Sequence, residues 1–304
     1  MVTLMANGLA FHELVENHGI QGAERLAYID FLIRFTGGLS RADITEFFGL
    51  GDAAASKEIS FYKSKREGNV DYDRVQRRNG ILRETYEALV DIDAETALGM
   101  LANGFNKTKL QHKPLIPYSR VGNSPKNLDV DLVSKVTRAI SSRNAIKCNY
   151  MSGSSNNHGE RTLVPTTIFF DGISWMFRAF HREGNKQKCF NFSRLRTVEE
   201  CPHDATKFHE TLEQDSDWQL VTLVQLTLHP SLSEKEKAEV RQEFDLDLEQ
   251  DEFIVRENAV LVYYLVWHWK IDTSEKPSVK GKYNFYLSNR DTLKHLECME
   301  NVFR

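Results

Sequence analysis

The stretch Ile173-Ser174-Trp175-Met176-Phe177-Arg178-Ala179-Phe180, followed by Phe190-Asn191-Phe192-Ser193-Arg194-Leu195-Arg196, decides how this chain is read. Successive side chains of a strand point to opposite faces. In 173–182, Ile173, Trp175, Phe177 and Ala179 therefore share one face, and Ser174, Met176, Arg178 and Phe180 the other. In 190–198, Arg194 and Arg196 share a face with Phe190 and Phe192, and two arginines so spaced stand about 7 Å apart. Such a pair can grip one phosphate or carboxylate with a fork of donors that lysine lacks. A strand is also predicted over 145–150, and the loop Tyr150-Met151-Ser152-Gly153-Ser154-Ser155 follows it. The whole predicts a small β-barrel with a basic, aromatic, hydroxyl-lined face suited to an anion. The aromatics Trp175, Phe177 and Phe192 are read as barrel core, because aromatics in strands usually pack.

Upstream, the periodicity changes to helical. Leu26, Ile29, Leu32, Ile33 and Phe35 recur at helical spacing over 23–36, and Gly37-Gly38 stops that helix. Ser40 reads as an N-cap with Asp43 in the first turn, opening a short helix over 41–48 with Ile44, Phe47 and Phe48 inward. Gly49-Leu50-Gly51 makes a turn, and Asp52 is expected to cap a third helix over 53–65. Helix, glycine turn, helix is the helix-turn-helix pattern. Ala55, Ile59 and Tyr62 fall on one face of the third helix, while Ser56, Lys57, Ser60, Lys63 and Ser64 lie on or near the other. Short side chains let a helix approach base edges, and basic ones such as Lys57, Lys63, Lys65 and Arg66 reach phosphates. Val70 and Tyr72 then predict a hairpin wing, with Arg74, Arg77 and Arg78 along it. Helical residues are expected over 84–104, a linker over 105–128 and a helix over 128–141.

Composition limits the classes of function. The chain has 304 residues, 41% hydrophobic and 27% charged, which suits two or three ordinary globular domains. No apolar run approaches the roughly 18 residues of a membrane span, and no signal-peptide pattern opens the chain, so a cytoplasmic location is expected. The net charge of -4 conceals an asymmetry. Residues 131–200 hold 11 Lys+Arg against 6 Asp+Glu, residues 53–83 hold 8 against 4, and residues 201–304 hold 12 against 20. Two basic islands in a mildly acidic chain fit polyanion sites, with solvated surface as the alternative. Cys148, Cys189, Cys201 and Cys298 form no Cys-x-x-Cys pair, and Cys201, His203 and His209 read as a loop. No metal and no cofactor is expected.

Beyond the barrel, Leu220, Thr222, Val224, Leu226 and Leu228 alternate with Val221, Leu223, Gln225 and Thr227, and Pro230 ends that strand. Ser233 opens a helix through Val240, 259–267 reads as a strong strand, and 291–296 as a short helix. The result is an acidic α+β part suited to packing or dimerisation.

Trp175-Met176-Phe177-Arg178-Ala179-Phe180 with Phe192-Ser193-Arg194-Leu195-Arg196 resembles the WYL domain of bacterial transcriptional regulators. Of the Trp-Tyr-Leu triplet that names the family, Trp175 is kept and Met176 and Phe177 stand in the other two places. The order winged helix-turn-helix, WYL domain, C-terminal extension matches the whole chain. It is most similar to WYL regulators associated with the BREX and CBASS phage-defence systems. The resemblance implies a multidomain α+β chain. Its parts would be a winged helix-turn-helix over 1–104, a linker over 105–128, an Sm/SH3-like WYL barrel over 129–204 and a C-terminal extension over 205–304. It also implies a ligand face of Tyr150, Ser152, Ser154, Arg161, Arg178, His181, Arg194 and Arg196.

The expected function is therefore a sequence-specific DNA-binding regulator, a repressor of a defence operon, that responds to an anionic nucleotide or nucleic-acid effector. Helix-turn-helix sites are commonly two-fold, so a homodimer on a palindromic operator of double-stranded DNA is expected. Two alternatives stand beside it. One is an Sm-like module that binds RNA or single strands. The other is an enzyme acting on nucleotides, which Ser152-Gly153-Ser154-Ser155-Asn156-Asn157-His158 would suggest as a phosphate loop. That loop lacks the Gly-Lys-Ser/Thr ending of a P-loop, and no paired-carboxylate or nucleophile motif accompanies it. No catalytic residues are assigned.

Overall fold

The structure, a computed structural model, describes residues 8–111, 116–117, 128–152, 159–278 and 282–303. The chain divides into two compact units at 207/208.

The first unit begins with α1 (Phe11–Thr36), which turns at Gly19, where φ is 68° and the helical backbone is interrupted. Gly37 closes α1 in the left-handed conformation, its N–H bonded to the Ile33 carbonyl. After β1 (Gly38–Leu39) comes α2 (Arg41–Phe48), opened by a reciprocal capping box between Ser40 and Asp43. α3 (Asp52–Lys65) follows. Its N-cap is Gly51, and Asp52 lies in the first turn instead of capping with its side chain. β2 (Val70–Asp73) and β3 (Arg78–Ile81) form an antiparallel hairpin that β1 extends to three strands. The helix expected over 84–104 occupies only its second half, α4 (Ala94–Asn103). The first half is a strap whose Leu9–Val90 bridge runs beside the start of α1. A short α5 (Lys107–Leu110) follows in the expected linker.

α6 (Val130–Ser142) leads through Arg143 into β4 (Asn144–Tyr150), β5 (Glu160–Phe170), β6 (Trp175–His181), β7 (Lys186–Asn191) and β8 (Leu195–Ala205). These strands form one antiparallel sheet in the order β7-β6-β5-β4-β8. No ladder joins β7 to β8 among the described residues, so the described ladders do not by themselves close the expected barrel. The strand expected over 190–198 is also broken. Asn191 accepts from the Ser193 N–H and hydroxyl, which winds Phe192–Arg194 into a 3-10 turn. One hydrophobic core runs through this unit, from Leu26, Ile33 and Phe35 of α1 through Val133 and Val136 of α6 to Phe177 and Phe190 of the sheet.

The second unit contains α7 (Ser216–Gln219), β9 (Val221–Leu228), α8 (Glu234–Glu243), β10 (Glu252–Asn258), α9 (Val262–His268), β11 (Ile271–Asp272), β12 (Phe285–Leu287) and α10 (Arg290–Leu293). Ser233 and Glu236 make the capping box of α8. The sheet order is β10-β9-β12-β11, and Val224, Leu226, Phe285, Leu287 and Met299 fill the core. The run 259–267, expected as a strand, is a 3-10 turn followed by α9.

Candidate functional site

Helix α3 is fixed by its buried side. Ala55, Ile59 and Tyr62 enter the core. The Tyr62 hydroxyl donates to buried Asp30 of α1 at 2.6 Å and accepts from Asn69 Nδ2 at 2.7 Å. Asp30 also accepts from the Tyr86 hydroxyl and from the backbone N–H groups of Leu89 and Val90, each at 3.0 Å. Burial pushes the Asp30 carboxyl up, against these hydrogen bonds, which hold it down. The network joins α1, α3 and the strap behind the wing.

With that side anchored, Lys57, Ser60, Ser64 and Lys65 are exposed, and Ser56 and Lys63 are half-buried. The Ser60 hydroxyl donates to the Ser56 carbonyl. Exposed Phe61 sits between the His18 ring, edge-on at 5.4 Å, and the Lys65 ammonium, 5.0 Å above its centre. Arg66 turns back, donating to the Lys65 and Ala88 carbonyls. In the wing, Asp73 Oδ1 accepts from the Val75 and Gln76 N–H groups and Arg77 takes φ 52°, which makes a tight tip. Arg74, Val75, Gln76 and Arg77 are exposed there, and Arg78 is half-buried. A basic helix face and a basic tip thus lie in one short segment.

A second basic group lies on the sheet. Arg161 pairs across from Cys148, His181 across from Leu163, and Lys186 and Lys188 across from His181 and Ala179. Side chains at paired positions share a face, so Arg161, His181, Lys186 and Lys188 stand on the face that carries Tyr150 and Phe190. The Arg161 guanidinium lies 5.4 Å over the Tyr150 ring, and Tyr150 packs edge-on against Phe190 at 5.1 Å. The Tyr150 hydroxyl accepts from the Asn191 N–H at 2.9 Å. Burial lowers the Lys188 ammonium, and its cationic neighbours Lys186 and Arg161 lower it further. Burial and then Lys188 lower His181 below 6.5, with Glu183, 3.3 Å from Nε2, opposing them in part. His181 Nδ1 is buried and has no hydrogen-bond partner among the described residues. Lys188 and His181, both depressed by burial and by neighbouring cations on this face, mark a place where an anion would be welcome. Lys186 and Lys188 escaped the sequence reading, although their two-residue spacing opposite His181 and Ala179 carried the signal.

The other sequence-predicted residues of this set lie elsewhere. Arg178 pairs across from Thr167 and Cys189, on the face opposite His181, and is buried with Nη1 3.5 Å from Cys189 Sγ. Arg194 is exposed in the 3-10 turn, its carbonyl accepting from the Met151 N–H. Arg196 is exposed on β8, its guanidinium within 2.9 Å of Met151 Sδ. The turn at Phe192–Arg194 means that these two arginines do not share a strand face with Phe190 and Phe192. Ser152 is half-buried beyond β4, and Ser154 lies outside the described residues.

Between the two basic groups stands an ion-pair hub. Glu200 of β8 accepts from Arg138 Nη2 at 2.5 Å and Nε at 3.0 Å, and from Arg83 Nε at 3.0 Å. Arg138 Nη1 donates to the Arg34 carbonyl of α1 at 2.8 Å. Burial alone would raise the Glu200 carboxyl, but the hydrogen bond and charge of Arg138, with Arg83, hold it below its ordinary value.

Three family descriptions match the chain in order. Residues 21–103 match the BrxR transcriptional regulator winged helix-turn-helix domain, residues 131–200 the WYL domain, and residues 221–293 the BrxR transcriptional regulator C-terminal dimerization domain. The DNA-binding transcriptional repressor CapW of Pseudomonas aeruginosa is 27% identical over 293 residues, covering 91% of this chain and 94% of its own. The repressor of the same name from Escherichia coli (strain KTE188) is 25% identical over 287 residues, covering 90% and 93%. That of Stenotrophomonas maltophilia is 24% identical over 274 residues, covering 89% and 90%.

Proposed function

Because this chain belongs to the WYL-domain transcriptional regulators of the kind associated with BREX and CBASS phage defence, we propose that it represses a defence operon by occupying its operator as a homodimer. The observation that carries this reading is the pairing, in one short segment, of an exposed basic face on α3 with an exposed arginine-bearing wing tip. Lys57 and Lys65 with Arg74 and Arg77 would contact phosphates, and Ser56 and Ser60 would approach base edges. Lys63, Arg66 and Arg78 support the same surface from its half-buried margin.

The anionic effector, a nucleotide or nucleic-acid fragment, would bind Arg161, Lys186, Lys188 and His181 beside Tyr150. Ser152, Ser154, Arg194 and Arg196 would serve its rim. The strand order β7-β6-β5-β4-β8 supports an Sm/SH3-like barrel for 129–204, with 1–104 as the DNA-binding part, 105–128 as linker and 205–304 as the dimerising extension. To release the operator, the effector must bind the DNA-free state more tightly than the DNA-bound one.

An electrophoretic shift with the DNA upstream of the chain's own gene tests the reading. The expected result is a sequence-selective, salt-sensitive complex that the unrelated duplex does not form. Tighter binding to single-stranded RNA than to that duplex would sink it in favour of a single-strand-binding module.

A further inference from the structure

We propose that β10 is the edge at which two copies of this chain join, in an antiparallel pairing centred on Ile254. The inference rests on the homodimer reading and gives it a surface and a register. β10 is an outer strand of its sheet, paired among the described residues only with β9, and its seven-residue ladder runs without a bulge. The Leu228 N–H bonds the Asp251 carbonyl at one end, and the Ala259 N–H bonds the Leu220 carbonyl at the other. In an antiparallel ladder, bonded pairs alternate with unbonded ones. Those two bonds therefore commit Phe253, Val255 and Glu257 to β9. The N–H and C=O groups of Glu252, Ile254, Arg256 and Asn258 point away from it.

The ends of this outer edge are partly closed by side chains. Gln250 Nε2 donates to the Glu252 carbonyl at 3.0 Å, and Glu257 accepts from the Asn258 N–H at 2.8 Å. The centre, Ile254 to Arg256, has no such cover among the described residues. Natural proteins blunt free edges with a bulge, proline or inward charge, because an open edge templates another strand. β10 has no bulge or proline, and it puts Ile254, 57% exposed, at its middle.

Self-complementarity fixes the occupant. Glu252, Ile254 and Arg256 are exposed on one face, and neither charged group makes an ion pair with a described residue. A two-fold axis through Ile254 sets Ile254 opposite itself and sets Glu252 of each copy opposite Arg256 of the other. Registers centred one residue either way lose this match. On the same face, exposed Leu223 of β9 pairs with Arg256 and exposed Val221 with Asn258, so an apolar row lies behind the joint. The occupant with the matching charge order is a second copy.

The test is sedimentation equilibrium of the full chain over a wide concentration range, comparing wild type, E252R, R256E and the double variant E252R/R256E. Each single change turns two attractive cross-strand pairs per dimer repulsive, and should raise the dimer dissociation constant about tenfold. The double variant restores opposite charges and should return to within about threefold of wild type. I254C should also form a disulfide-linked dimer under mild oxidation, since bonded partners lie about 5.5 Å apart between Cα atoms. Q225C, one strand inward on the same face, should not. A wild-type dimer indifferent to both single changes, or a double variant as weak as the singles, overturns this surface alone. A wild-type chain that stays monomeric overturns the homodimer reading together with it.

Discussion

Replacing Glu200 by Gln should cost about 3–4 kcal/mol of stability at pH 7. Glu200 and Arg138 are nearly buried, at 9% and 7% side-chain exposure, and their contact is bidentate. Removing one partner of a buried pair leaves the other charge uncompensated, a loss of about 3–5 kcal/mol. The amide keeps one acceptor, which places the cost at the lower end. The Arg83 pair adds at most about 1 kcal/mol, because Arg83 is 35% exposed and water screens it. Against a total of about 5–15 kcal/mol this is a large fraction. The sign with pH follows from the depressed carboxyl. Its stabilisation is fully present above the ordinary value of 4.5 and fades as pH falls through the lower folded-state value. The gap between wild type and E200Q in urea melts, followed by circular dichroism at fixed protein concentration, should therefore narrow below pH 4.5. A loss under about 1 kcal/mol at pH 7, or a gap that ignores pH, would refute the reasoning.

Four further outcomes are expected. Lys57→Ala and Arg77→Ala should each weaken duplex binding across sequences and lower the salt slope of log Kobs by about 1, and an unchanged slope in filter binding counts against these phosphate contacts. Arg161→Ala and Lys188→Ala should abolish anion binding in calorimetry and leave operator affinity in place. Acidification below 6.5 should strengthen anion binding in the wild type, because His181, held below that value, then gains charge beside Arg161, Lys186 and Lys188. A flat profile from pH 7 to 5 would remove His181 from the site. Asp30→Ala leaves two buried N–H groups and two phenols without their acceptor, and should destabilise the chain by about 4 kcal/mol or more. Melts within about 1 kcal/mol of wild type would mean that water replaces the carboxylate there.

Periodicity made the N-terminal helices legible, because each buries one side and has a local stop or start. Gly37 takes a left-handed φ, and Ser40 and Asp43 cap each other, both within a few residues of sequence. The run 259–267 was misread as a strand because an all-apolar stretch carries no period. Its fate as α9 depends on the packing of Val262 in the second core, which is not local information. The strand over 190–198 failed for a smaller reason. Asn191 caps the next turn through its own side chain, and alternation cannot be counted across that turn. The basic cluster proposed as the anion site was half legible. Tyr150, Arg161 and His181 came from the resemblance and are brought together, and Lys186 and Lys188 join them only when the β6–β7 register is known. Arg178 came from the same resemblance, and register puts it on the other face. The Glu200 hub, whose partners lie 62 and 117 residues away, was beyond any local reading.

That hub makes a stronger demand on the proposed regulation than either basic group does alone. β4 carries Tyr150 and, opposite Arg161, Cys148; four residues before Tyr150, about 13 Å along the strand, Ile146 pairs with Glu200. Glu200 in turn holds Arg83, two residues past the wing strand β3, and Arg138 holds the end of α1. One ladder therefore runs from the anion cluster to the base of the wing, inside a single hydrophobic core. Coupling through it has to be reciprocal. An effector that weakens operator binding about tenfold must itself bind about tenfold more weakly to the operator complex, about 1.4 kcal/mol in each direction. E200Q cuts the ladder between the two sites without touching either. It should leave effector affinity for the free chain intact and reduce both halves of the coupling by the same factor. Anisotropy titrations of the nucleotide or oligonucleotide that releases the operator, with and without operator present, measure all four constants. Coupling of undiminished size in an E200Q chain that remains folded would place the signal on another route.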